Sequence, residues 1–85
     1  MEHADAATLD TLEELLGAIR ERDGVRDRRR GYFYHKGRAL VHFHQDPAGL
    51  YADLHDGSEW YRLRVSEPEE RKRFLAALDE AVQKT

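Results

Sequence analysis

The run Gly37-Arg38-Ala39-Leu40-Val41-His42-Phe43-His44-Gln45-Asp46-Pro47-Ala48-Gly49-Leu50-Tyr51-Ala52-Asp53-Leu54-His55-Asp56-Gly57-Ser58-Glu59-Trp60-Tyr61-Arg62-Leu63-Arg64-Val65 decides the fold. Its three apolar segments are broken only by short clusters of Asp, Pro, Gly and Ser, the residues that turn a chain. With the segment just before it, four strands are predicted: Tyr32 to His35, Arg38 to His44, Leu50 to His55 and Trp60 to Val65. Lys36-Gly37, Asp46 to Gly49 and Asp56 to Glu59 separate them. Strands joined by loops this short pair antiparallel with their chain neighbours, so the order is a meander.

Requiring inward residues to meet inward residues fixes a register, because a slip of one residue swaps every side chain between faces. Phe43 then faces Ala52, Val41 faces Leu54, and on the next strand Leu54 faces Tyr61, Ala52 faces Leu63 and Leu50 faces Val65. The Lys36-Gly37 turn adds Tyr34 opposite Ala39 and Tyr32 opposite Val41. The same register gives three rows on the outer face. They are His42 with Asp53 and Arg62, His44 with Tyr51 and Arg64, and Phe33 with Leu40, His55 and Trp60.

Outward from the strands, Leu9, Leu12, Leu15, Leu16 and Ile19 recur at helical spacing, predicting one amphipathic helix from about Thr8 to Arg22, capped by Thr8 or Asp10. Gly17 within it suggests a close approach of helix to sheet. Phe74, Leu75, Leu78, Ala81 and Val82 form the stripe of a second helix ending near Gln83, opened by Ser66 and Glu69 as a capping box with Pro68 in the first turn. Met1 to Ala7 shows no periodicity and reads as a flexible tail before a single domain at 8–85. Val25 to Gly31 reads as a charged connection. The expected class is therefore α+β in the order α-β-β-β-β-α, a four-stranded antiparallel meander with both helices on one face and the other face open.

The 85 residues suffice for one core, and 40% hydrophobic with 36% charged residues suits a small globular protein with an ion-rich surface. The absence of cysteine removes disulfides and thiolate chemistry, and no long apolar stretch or basic-then-apolar leader is seen. A cytoplasmic protein without a membrane partner is the default expectation. A net charge of -3 argues against a dedicated nucleic-acid binder but leaves room for a local patch.

His42-Phe43-His44 puts two imidazoles on one side of a strand about 6.6 Å apart, and Asp53 lies opposite His42, a two-histidine, one-carboxylate set that suits zinc or iron. The plainer reading is a cross-strand charge ladder with no cofactor. Asp53 orienting His42 would suit acid-base chemistry, but a flat sheet offers no enclosed, water-poor site, so catalysis is not favoured and no catalytic residue is assigned. Arg26, Arg28, Arg29 and Arg30 near Tyr32 and Tyr34 suggest a nucleic-acid contact, weakened by the inward assignment of both tyrosines. The row of Phe33, Leu40 and Trp60 suits a homodimer or another protein partner. The leading expectation is thus a binding or self-association module using Phe33, Leu40, His42, His44, Tyr51, Asp53, His55, Trp60, Arg62 and Arg64. A metal site of His42, His44 and Asp53 is the rival.

Gly37-Arg38-Ala39-Leu40-Val41-His42-Phe43-His44, Tyr51-Ala52-Asp53-Leu54 and Glu59-Trp60-Tyr61-Arg62-Leu63-Arg64-Val65 before the last helix resemble small domains that carry a luciferase-like label, over about Gly37 to Val82. The resemblance implies the strand order and the acidic-capped helix. It implies neither light emission nor a catalytic residue.

Overall fold

A computed structural model describes residues 1–84. The order is β1 (Glu2–His3), α1 (Ala6–Thr11), α2 (Glu13–Arg20), β2 (Val25–Arg29), β3 (Tyr32–His35), β4 (Arg38–Asp46), β5 (Gly49–His55), β6 (Trp60–Arg64) and α3 (Pro68–Lys84). Strands β2 to β6 form an antiparallel meander, and β1 pairs with β4 beyond the end of β3. The α+β class and the antiparallel sheet are as expected, but the sheet has six strands rather than four. Both missed strands lack a hydropathy signal. Val25-Arg26-Asp27-Arg28-Arg29 carries one apolar residue and is an edge strand, where charge guards an open backbone. β1 is two residues long and lies within the segment read as a tail, which also supplies the Asp5 cap and the start of α1.

The β4–β5–β6 register is the expected one, with Phe43 opposite Ala52, Val41 opposite Leu54, Leu54 opposite Tyr61 and Ala52 opposite Leu63. Lys36 and Gly37 turn with φ of 51° and 78°, the double positive φ of a two-residue hairpin, and Tyr34 meets Ala39. Beyond that pair a bulge intervenes. Val41 meets Phe33 and His42 meets Tyr32, which corrects the expected Tyr32–Val41 pair. The physical reason is the consecutive pair Leu40-Val41. A regular pleat would expose one of them, whereas an extra residue in β4 lets both be buried, each 2% exposed. Phe33 turns into the core at 0% exposure, so Phe33 and Leu40 do not form the expected outer row with Trp60. Tyr32 and Tyr34, alternating with Phe33, share the outer face.

One cluster unites Leu12, Leu16 and Ile19 with Phe43, Ala52, Leu54, Phe74 and Leu78, so all helices cover the inner face. Each fully buried large side chain contributes on the order of 1.5–3 kcal/mol. Helical periodicity located the apolar stripe, but the expected single helix is two. Leu12 (φ -102°, ψ 5°) breaks it, its N–H reaching back to the Leu9 carbonyl at 3.0 Å in a tightened turn. Asp5, rather than Thr8 or Asp10, caps the first helix, accepting from Thr8 N at 2.9 Å. Nothing lies within 4 Å of a Cβ built on Gly17, so no close approach explains that glycine. Glu70, not Glu69, serves the start of α3, accepting from the backbone N–H groups of Ser66 and Glu67 at 3.0 and 2.8 Å. The Ser66 hydroxyl instead accepts from Leu50 N at 2.8 Å, fastening this junction to β5. Among the described residues, no helix is long and apolar enough to cross a membrane.

Candidate functional site

The outer face is built by register. Across the sheet, His3 pairs with His44, His44 with Tyr51 and Tyr51 with Arg64; in the next row Tyr32 pairs with His42, His42 with Asp53 and Asp53 with Arg62. His55 pairs with Trp60. Two of the expected rows are therefore present, each lengthened by one residue: His3, which the strand assignment had not reached, and Tyr32, which it had turned inward. His3 is the more consequential addition. The chain start is fastened to β4 by Ala4 N donating to the Phe43 carbonyl at 3.0 Å and by a reciprocal pair in which Asp5 N donates to Gln45 Oε1 at 2.8 Å and Gln45 Nε2 donates to Asp5 Oδ2 at 3.1 Å. This clamp carries His3 onto the His42–His44 pair.

Ring centroids of His3 and His44 are 4.9 Å apart, those of His42 and His44 4.8 Å, and those of His3 and His42 5.9 Å. One ring nitrogen from each of the three lies within 4.8 Å of the others. Trp60 walls this cluster on one side, edge-on to His42 at 4.8 Å, and Tyr32 stacks beside His42 at 6.3 Å with 16° between ring planes. His55 packs against Trp60 at 5.0 Å and is not one of the three clustered histidines.

Asp53 is 9% exposed and stands behind the histidines. Arg62 grips it with two hydrogen bonds, Nε to Oδ1 at 2.7 Å and an Nη to Oδ2 at 2.9 Å. Its Oδ2 is also 2.9 Å from His44 Nε2 and 4.0 Å from His42 Nε2. The short contact to His44 lies off the direction a ring N–H would need, so His44 Nε2 has no hydrogen-bond partner; neither has the buried Nδ1 of His42. Burial opposes ionisation of Asp53, yet the Arg62 hydrogen bond and the neighbouring positive groups outweigh it and hold the carboxyl below its ordinary value. Burial is also the main influence on His42; it favours the neutral ring and lowers its pKa, against the attraction of Asp53.

The remaining expected residues sit at the rim. Arg64 donates to Glu70 at 3.0 Å and to the Ala48 carbonyl at 3.3 Å, and so belongs to the cap of α3. Trp60 is 44% exposed. On the opposite flank Arg28 lies over the Tyr34 ring at 4.4 Å and Arg29 over Tyr32 at 4.6 Å, so the tyrosines read as inward are outward and carry arginines. Arg30 takes no part, being held by Asp10 and Glu13 at 2.8 Å each. The signal that could have found His3 was the third histidine itself, three residues before the helix; nothing local says which strand it joins.

No family model, curated protein or solved structure matches this chain.

Proposed function

We propose that the outer sheet face is a binding site for a divalent transition-metal cation of the zinc or iron(II) type, with His3, His42 and His44 as ligands. The carrying observation is the pair of buried, unpartnered ring nitrogens, His42 Nδ1 and His44 Nε2, in a cluster with a third imidazole. An unsatisfied buried polar atom costs about 1–3 kcal/mol, and a cation that accepts its lone pair removes the cost. Three neutral imidazoles and no thiolate suit such a metal. Bound to zinc at about 2.0–2.1 Å, three ligand nitrogens would stand roughly 3.3 Å apart. The observed spread of up to 4.8 Å must narrow for all three nitrogens to reach one cation. Closure by ring rotation falls mainly to exposed His3 on its two-residue strand.

Asp53 acts behind the ligands. With both oxygens engaged by Arg62 and Oδ2 standing 2.9 Å from His44 Nε2, it supplies negative charge beside the cation. Cobalt(II) and zinc titrations followed by histidine NMR test the reading. His3, His42 and His44 resonances should move together while His55 stays still, and His3→Ala should weaken binding at least tenfold. Uniform response of all five histidines, or none, would refute it.

Self-association is the second reading. With Phe33 and Leu40 in the core, it rests on Trp60 as the large apolar side chain exposed on this face. Sedimentation of the wild-type chain and of Trp60→Ala decides it, an unchanged monomer mass counting against a dimer.

A further inference from the structure

The arginines of this protein divide into two kinds. Arg20, Arg22, Arg30, Arg62 and Arg64 each hold a carboxylate within 3.0 Å. Arg26, Arg28 and Arg29, gathered on the edge strand β2, have no carboxylate partner within 4.0 Å among the described residues. The one acid of that strand, Asp27, is turned to the other side of the sheet, where Arg20 takes it at 3.0 Å. The strip is thus three uncompensated positive charges on one flank of the outer face, although the whole chain carries -3.

Its geometry is as specific as its charge. Arg26 stands opposite Tyr34 and Arg29 opposite Tyr32, with Arg28 added between them by a bulge. The bulge brings two consecutive guanidinium groups over two tyrosine rings, at 4.4 and 4.6 Å. A guanidinium is planar by its own delocalisation; lying over a ring it is held in place by the ring's electron-rich face, and its other face is left toward solvent. A planar cation presented this way accepts a nucleic-acid base in a stack while neighbouring N–H groups reach phosphate oxygens. Beside it, Arg26, Arg28 and Tyr34 line a shallow concavity of about 440 Å³. From Arg26 to Arg29 an extended strand runs about 10 Å, enough for a short stretch of an extended polyanion and more than one small anion needs.

We infer that the Arg26–Arg29 strip, with Tyr32 and Tyr34 beneath it, binds single-stranded nucleic acid. The bases must be unpaired to stack on the guanidinium planes, and a strand edge presents no helix or ribbon to enter a duplex groove. The strip adjoins the histidine cluster at Tyr32, which stacks beside His42, but none of its arginines is a metal ligand and its binding does not depend on metal.

The test is fluorescence anisotropy of labelled ten-nucleotide oligouridylate and oligothymidylate with the full chain in EDTA, which keeps the metal reading out of the result. With three phosphates neutralised, the logarithm of affinity should fall against the logarithm of salt with a slope of about -2. The triple variant Arg26→Ala, Arg28→Ala, Arg29→Ala should lose at least tenfold at 50 mM salt. Arg73→Ala, an exposed and likewise unpaired arginine on α3, should stay within twofold. Arg28→Lys keeps the charge and loses the plane, so it should weaken binding with an unchanged slope. Absent binding, equal loss in Arg73→Ala, tighter binding of duplex, or competition by tripolyphosphate as effective as by oligonucleotide would each overturn the inference. In the first case the arginines guard the edge strand against self-pairing and nothing more.

Discussion

The two flanks of the outer face use arginine in opposite ways. On the β5–β6 flank, Arg62 is tied by two short hydrogen bonds to a nearly buried Asp53, which in turn stands 2.9 Å from His44. Charge there is spent internally, setting the posture of a histidine cluster. On the β2–β3 flank, Arg28 and Arg29 rest on tyrosines and meet no acid among the described residues. Charge there is kept available. The same side chain is an internal strut when a carboxylate faces it across the strands and a presented cation when an aromatic ring does.

The two flanks also meet through the bulge, and breaking it should have the largest effect. Phe33→Ala removes a side chain with no exposure and should cost about 3–5 kcal/mol, read as a lower midpoint in urea denaturation. A loss below 1 kcal/mol would return Phe33 to the surface row that the sequence suggested. Gly31→Ala attacks the β2–β3 hairpin. Gly31 has φ of 84°, and an added Cβ would come 2.8 Å from Leu9 Cδ2, so a loss of about 2 kcal/mol is expected in the same measurement.

On the other flank, Asp53→Ala should cost about 2 kcal/mol. It leaves Arg62 unpaired, although Arg62 is half exposed and water recovers part of the loss. Its effect should not add to that of Arg62→Ala, a coupling that a double-mutant cycle reads directly.

Acid acts on the same flank with a definite sign. The His42 pKa is lowered in the folded state, so the unfolded chain binds its proton first as pH falls. The metal-free protein should keep this contribution above about pH 6.5 and lose it as pH drops from there through the lower folded value. Asp53, also lowered, adds a second loss only below its ordinary value of 3.8. Thermal midpoints from pH 8 to 5 check the first, and His42→Gln should flatten that range.

The smallest effect concerns neither flank. Gly17→Ala fills open space in α2 and should stabilise by about 0.5–1 kcal/mol; a loss would mean that the added methyl group meets a neighbour.

Much of the β4–β6 flank was legible in the sequence. Alternation in Val41-His42-Phe43-His44 and Tyr51-Ala52-Asp53-Leu54, punctuated by turn residues, has one register that buries the apolar set, and that register carries His42 to Asp53 and Asp53 to Arg62. On the β1–β3 flank only β3 and its Lys36-Gly37 turn were legible. β2 pairs through its backbone while its side chains are charged, so no hydropathy pattern marks it. β1 is too short to have a period, and its partner Gln45 is far along the chain. Leu40-Val41 could be read equally as a strand with one outward leucine or as a bulge. Only the packing against the core chose between them, and with that choice it turned Phe33 in and Tyr32 out.

By itself, then, the sequence determined the class, the meander and the rows of His42, His44, Asp53 and Arg62, because period and turn chemistry are local. The tertiary structure alone decided that His3 joins them, that Phe33 leaves, and that Arg28 and Arg29 lie on tyrosines. Those outcomes depend on a distant strand pairing and on two bulges, one in β2 and one in β4, which no local period encodes.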